Sequence, residues 1–182
     1  MKTKFILFFL VGILSISCKN EGSSVGVPTQ PEVSLNDPNF KEIKKDNYSI
    51  KVHQDWMVDL YPISEIDLYI YMDLEDEFTE NINLLIRDLG TSNMTLDEIV
   101  KNERADLETL ATIISSERIV LPNKEYQRIV MTSPFYGENL KFIQHYILKD
   151  SRVYVLTFTS LERDFNQYEK IAEQIMQSFT VN

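Results

Sequence analysis

The sequence predicts an α+β layered domain built on antiparallel strands, with both faces of the sheet at least partly covered. Three observations predict it. Short runs of alternating apolar and polar residues recur between turn-forming residues, the period-2 signature of strands and hairpins. Helical patterns stand before and after the run of late hairpins, an order that suits a layered α+β domain. The late strands carry apolar groups on both faces: Tyr154, Leu156 and Phe158 point one way, Val153 and Val155 the other. An antiparallel sheet with a wet side alternates more cleanly than this.

The elements follow in chain order. Tyr48 to Val52 reads as a short, half-apolar strand. In the run from Ile66 to Met72, Ile66, Leu68, Ile70 and Met72 share one face and two tyrosines take the other. Ile82, Leu84 and Ile86 alternate with Asn83, Leu85 and Arg87. Thr95-Leu96-Asp97-Glu98 is a capping-box pattern, in which Thr95 accepts from a backbone amide and Glu98 reaches back. Leu96, Ile99, Val100, Leu107 and Leu110 then recur at helical spacing. Four strands are expected over Ile113–Leu121, Glu125–Thr132, Leu140–Leu148 and Arg152–Ser160. Their turns are Pro122-Asn123-Lys124, Pro134 to Asn139 with Gly137, and Lys149-Asp150-Ser151. Asp164 is the expected N-cap of a last helix. Its apolar stripe is Phe165, Tyr168, Ile171, Ala172, Ile175, Met176 and Phe179. A Met and aromatic stripe of this kind is core material.

The chain's N-terminus has a different character. Met1-Lys2-Thr3-Lys4 is a basic n-region, Phe5 to Leu14 an apolar h-region, and Ser15-Ile16-Ser17-Cys18 a set of small residues ending in the only cysteine. The apolar run is about a dozen residues, short of the roughly 20 that a spanning helix needs. Residues 1–17 are therefore expected to be a signal peptide. The segment 18–43 is rich in Gly, Ser and Pro up to about Phe40 and lacks apolar periodicity, which predicts a flexible tether. The folded domain is expected over 44–182. Ten Phe and nine Tyr suffice to furnish one sizeable core, and the length fits one domain.

Charge excludes one class of partner. The chain has 28 acidic and 18 basic residues, for a formal charge of -10. Loss of Lys2 and Lys4 with the signal would make it about -12, a charge that nucleic acid repels. No basic cluster offsets this, since Glu42 and Asp46 intersperse Lys41, Lys44 and Lys45.

Ser15, Ser17 and Cys18 resemble the lipobox of bacterial lipoproteins, in the looser form of Bacteroidota-type members. Ser15 takes the place of the usual leucine three residues before the cysteine, and Leu14 lies one place earlier. The resemblance implies that Cys18 is joined to diacylglycerol, that residues 1–17 are removed, and that the new amino terminus is acylated, as with palmitate. Two or more acyl chains hold a protein to a bilayer where one holds only marginally. The rival reading is an ordinary secreted protein with a cysteine near its cleavage site. Lys19 is not the aspartate that retains enteric lipoproteins at the inner membrane, so the resemblance implies the outer membrane, with the domain in the periplasm or at the cell surface.

The rest of the chain resembles the PsbP-like and DcrB-like domains. The residues that carry this are the opening Tyr48-Ser49-Ile50-Lys51-Val52 strand followed by Trp56, the Thr95-Leu96-Asp97-Glu98 helix start, the Tyr154-Val155-Leu156-Thr157-Phe158 strand and the terminal Ser178-Phe179. His53 departs from the proline common in the "P-x-x-W" of that family. The resemblance covers roughly residues 46–181 and implies an antiparallel sheet with helices packed on both faces, a PsbP-like α/β/α sandwich. It implies no chemistry, because members range from extrinsic photosystem subunits to uncharacterised lipoproteins and share no catalytic constellation.

The residues themselves point the same way. Nucleophilic catalysis needs Ser or Cys with a positioned base. Cys18 is consumed by the anchor, only His53 and His145 exist, and no Gly-x-Ser-x-Gly elbow occurs. His53 with Asp55 is a possible metal pair, and His145 reads as a strand-surface histidine. The acidic run Asp73-Leu74-Glu75-Asp76-Glu77 imitates a calcium loop but lacks the sixth-position glycine and has Leu84 where the bidentate Glu belongs. It reads as a solvated loop or a weak cation site. No glycine-rich phosphate cradle is present, so no cofactor is expected. Trp56 is either a core plug or part of an exposed aromatic patch that contacts a partner. The expected function is a non-catalytic binding or assembly module on an envelope protein or ligand. The rivals are a small-ligand carrier, which an apolar pocket would favour, and an unrecognised hydrolase, which a buried His–acid pair would favour.

Overall fold

Each strand expected from the alternation is present in the structure, a computed structural model that describes residues 38–61, 65–72 and 78–182. Cys18 and Asp73–Glu77 lie outside the described residues. The elements run β1 (Phe40–Lys45), β2 (Tyr48–His53), β3 (Met57–Asp59), β4 (Ile66–Tyr71), β5 (Asn81–Asp88), α1 (Leu96–Leu107), β6 (Thr112–Leu121), β7 (Lys124–Phe135), β8 (Glu138–Lys149), β9 (Arg152–Leu161), α2 (Phe165–Ser178) and β10 (Thr180–Val181). A seven-stranded antiparallel sheet has the order β3-β4-β5-β9-β8-β7-β6, and a three-stranded sheet has the order β1-β2-β10.

Three short strands escape the alternation rule. β1 carries Lys and Glu at four of its six positions and begins at Phe40, upstream of the expected domain start at Lys44. It forms because the whole strand pairs with β2, from Phe40↔His53 to Lys45↔Tyr48. β3 and β10 hold three and two residues, too few to show a period.

The turns explain why the long strands pair in this register. Asp150 and Ser151 both take positive φ (49° and 58°) between the paired ends Lys149 and Arg152. A two-residue turn with both residues left-handed matches the strand twist. Tyr136 and Gly137 do the same between Phe135 and Glu138. Pro134 therefore belongs to β7 and not to the loop. Lys124 likewise pairs with Leu121, which leaves Pro122-Asn123 as the turn.

Two bulges correct the expected faces. The register shifts between Ile66 and Leu68, so Ile66 leaves the face of Leu68 and Ile70 and stays only half-buried. A second shift lies between Ile113 and Ser115.

The pleat divides the large sheet into two sets of side chains. One row crosses five strands as Leu84, Leu156, His145, Arg128 and Glu117. α2 meets this set, with Glu173 against both Arg128 and His145. The core gathers here. Phe165, Ala172, Ile175, Met176 and Phe179 of α2 pack with Ile82, Leu84, Tyr154, Leu156 and Phe158, and with Tyr48, Ile50 and Val52 of the small sheet. Ser178 ties α2 to β2 by accepting from the Lys51 amide (2.8 Å). α1 engages the alternate set. Arg118 pairs with Asp97, Arg87 pairs with Glu103 at 2.7 Å, and Ser133 donates to the Leu110 carbonyl at 2.9 Å.

The helix ends differ from one another. Thr95 and Glu98 form the expected box: the Glu98 amide donates to Thr95 Oγ1, and the Thr95 amide donates to Glu98 Oε2 at 2.8 Å. Asp164 stands at the N-cap of α2, yet its side chain makes no capping bond and pairs with Arg163 at 3.2 Å. Its αR backbone (φ -100°, ψ -10°) departs from the extended N-cap geometry. At the far end, Lys124 of β7 donates to the carbonyls of Gln177 and Phe179, placing a cation where the helix dipole is negative.

Candidate functional site

The alternate set of side chains on the large sheet is buried unevenly. The boundary is legible along β9, where Val153 and Val155 are buried and Thr157 and Thr159 are partly exposed. Beyond it lies an array set by register. Tyr69, Asn83 and Thr157 stand opposite one another on β4, β5 and β9, and Tyr71, Asn81 and Thr159 form the neighbouring row. All six residues are partly exposed. The two tyrosine rings lie 5.4 Å apart at 31°. Burial raises the Tyr69 hydroxyl above its usual range, with the neighbouring Tyr71 adding to the effect, so the Tyr69 phenol stays neutral at physiological pH. No charged side chain falls within the array. Asp59 lies at its outer edge, opposite Tyr69.

A buried relay feeds this face. Tyr146 donates its hydroxyl to Gln144 Oε1 at 2.6 Å, and Gln144 Nε2 donates to Thr157 Oγ1 at 3.1 Å. Gln144 is 3% exposed and Tyr146 2% exposed. The Tyr146 bond fixes which end of the Gln144 amide faces Thr157. Thr157 thus accepts from within, which leaves its own O–H available to donate.

A second polar group is enclosed under α2. Glu173 accepts from Arg128 Nε at 2.5 Å and approaches His145 Nε2 to 3.3 Å. The His145 ring lies 4.3 Å from Tyr126, and Arg128 also reaches Glu169 at 3.5 Å. His145 is 1% exposed, so it is not the strand-surface histidine that the sequence suggests. Burial lowers its pKa against the pull of Glu173, leaving the ring neutral at physiological pH. Burial would raise Glu173, but hydrogen bonding and charge from His145 and Arg128 win and hold it at about 2. Burial also lowers Lys124 nearby to about 8. The group contains the buried His–acid pair that chemistry would need. Its third member is an arginine, already bonded to the same carboxylate, and α2 closes the approach.

The remaining sequence candidates fall elsewhere. Trp56 is 2% exposed and sits in the core cluster, so the indole offers no surface to a partner. His53 Nδ1 lies 3.4 Å from Asp55, and its ring meets Phe40 edge-on at 5.2 Å. Neither joins the other histidine. An open cavity of about 380 Å³ lies between the β5–α1 connection and the β8–β9 turn, lined by Leu89, Ser92, Asn93, Met94 and Lys149 among others. Sequence reasoning placed the two tyrosines of β4 on one face but missed the array, because its Asn and Thr members come from strands far apart in the chain.

This architecture is shared with solved structures. PsbP of the cyanobacterium Synechocystis sp. PCC 6803 (CyanoP) superposes with a TM-score of 0.63 over 86% of this chain and 100% of that one, at 10% identity. The fold is PsbP-like. LpqN of Mycobacterium tuberculosis, described as involved in cell envelope biogenesis, matches with a TM-score of 0.56 at 14% identity, over 81% of this chain and 87% of that one. A Pseudomonas aeruginosa protein of unknown function, described as a putative regulator, matches with a TM-score of 0.55 at 13% identity, over 77% and 95% of the two chains. No protein-family model and no curated protein matches the sequence. At these identities the likeness establishes the PsbP-like fold and carries no residue roles across. Among the described residues, no helix is long and apolar enough to cross a membrane.

Proposed function

We propose that this protein is a lipid-anchored envelope module that binds or assembles with a partner and performs no catalysis. The observation that carries the reading is the contrast between its two polar groups. The cluster with catalytic residue types, His145 and Glu173, is enclosed under α2, and its carboxylate is already bonded by Arg128. The open group on the sheet has tyrosines, amides and hydroxyls, which recognise but do not activate. LpqN, a structural neighbour described as involved in envelope biogenesis, supports an envelope setting. The finer architecture, a sandwich with a helix layer on each face, rests on the two sets of contacts described above, one helix to each pleat.

The lipid anchor rests on the signal-like N-terminus and Cys18. Metabolic labelling with a palmitate analogue should mark the full-length protein and spare Cys18→Ala; label on the variant would refute the anchor. The absence of catalysis is tested with a panel of ester, phosphoester and glycoside substrates. Turnover that His145→Gln abolishes would establish the hydrolase reading instead. The carrier reading has less support, since the described cavity is open and lined largely by turn residues.

A further inference from the structure

We infer that the open half of the sheet face, centred on Tyr69, Tyr71, Asn83 and Thr157, binds an uncharged, hydroxyl-rich ligand: a neutral saccharide. The inference rests on the reading of this protein as a binding module and names the ligand class.

The first argument is charge. In a chain with 28 acidic and 18 basic residues, the six-residue array contains none. Asp59 at the rim is the nearest charge by register. An anionic ligand would meet this carboxylate and the net negative field. A neutral polyol meets no such penalty, and a rim carboxylate accepts hydroxyl hydrogen bonds.

The second argument is the set of polar groups. Among the described residues, the side chains of Tyr69, Tyr71, Asn83 and Thr159 make no hydrogen bond to the protein, and each is partly exposed. Asn83 supplies both an acceptor and two donors from one amide. Thr157 Oγ1 is held by the Tyr146–Gln144 relay, whose members are buried, and keeps its O–H to donate. Holding a hydroxyl oxygen before the ligand arrives lowers the ordering cost of binding. Hydroxyls on alternate carbons of a pyranose lie farther apart than vicinal ones and can reach groups on neighbouring strands, about 4.8 Å apart. The aromatic rings of Tyr69 and Tyr71 offer flat faces to the C–H side of a pyranose.

The third argument excludes the rival occupants. A peptide adding as a strand needs an unpaired sheet edge, but β5 and β9 lie in the interior of the sheet and their backbone is bonded on both sides. An acyl chain needs a continuous apolar lining, and Asn81, Asn83, Thr157 and Thr159 interrupt it. The face is about 10 Å by 7 Å, from two strand spacings and one two-residue step, which suits a disaccharide unit.

The test uses saturation-transfer NMR on the full-length protein purified from its envelope. The probes are cellobiose, maltose and N,N′-diacetylchitobiose, with a glucuronate-containing disaccharide as the acidic control. Transfer to ring protons of at least one neutral probe is expected, with little to the acidic control. Tyr71→Ala and Asn83→Ala should each weaken that binding about tenfold, equivalent to about 1.4 kcal/mol. Tyr71→Phe should retain most of it. Thr157→Val, close in shape, should weaken binding while leaving the fold intact by circular dichroism. Absence of transfer from all three neutral probes overturns the inference, as does transfer unchanged in Tyr71→Ala and Asn83→Ala. A photo-crosslinker replacing Tyr71 separates this failure from that of the wider reading. A discrete protein adduct there would refute the saccharide and uphold the binding module.

Discussion

Trp56 and His145 show how differently single residues declare themselves. An indole near the first strand of an aromatic-rich chain suits a core, and it lies there at 2% exposure. Trp56→Ala should cost about 3–5 kcal/mol, read from urea unfolding midpoints; an unchanged midpoint would remove it from the core. His145 could not be placed from its neighbours in sequence. Lys141 and Lys149 flank it on β8, but its partners Glu173, Arg128 and Tyr126 come from α2 and β7. Removing one member of a buried ion pair leaves the other uncompensated. Arg128→Met should therefore destabilise by about 3–5 kcal/mol, and adding Glu173→Leu should restore much of that. If the double variant is no more stable than the single one in the same unfolding assay, the two charges are not coupled as the 2.5 Å contact implies.

At the scale of elements, the two helix starts make opposite predictions from similar sequence signals. Thr95 has a complete capping box, in which a backbone bond from Thr95 holds the Glu98 carboxyl below its usual range. Thr95→Ala should cost about 1 kcal/mol or more. Asp164 makes no side-chain cap. Asp164→Ala should lose only its attraction to the helix dipole, at the low end of about 0.3–1 kcal/mol, and less in high salt. Thermal melts of both variants at two salt concentrations check this pair; equal losses would mean that Asp164 caps in solution. The hairpins were legible because their turn residues are local. The β8–β9 turn holds Asp150 and Ser151 at positive φ, a conformation that favours glycine. Strands β1, β3 and β10 were not legible, since each is specified by the strand it pairs with and not by its own pattern. The bulge at Ile66 to Leu68 was invisible for the same reason: strict alternation is a property of an unbulged ladder.

For the whole molecule, acid is the condition that should act on the closed cluster. His145 is lowered from 6.5 by burial, so its contribution to stability is fully present above pH 6.5 and declines as pH falls toward the folded value. Glu173 is lowered from 4.5 to about 2, so its contribution is present above pH 4.5 and is lost as pH drops toward 2. Arg128, Glu169 and Lys124 stand around the pair, and the cations among them favour a neutral ring. Both shifts have the same sign, and stability should fall in two stages below pH 6.5. Urea midpoints at pH 7, 5 and 3 check this, with His145→Gln expected to remove the upper stage; a midpoint independent of pH over that range would contradict the burial of the pair. The sequence by itself determined the antiparallel α+β character, the order of the main strands and both helices, and the likeness to PsbP-like domains. Those depend on local propensity and on period, which neighbouring residues carry. Only the tertiary structure decided which polar residues are enclosed and which are offered to a ligand. That outcome depends on register across the sheet, which assembles Tyr69, Asn83 and Thr157 from separate strands.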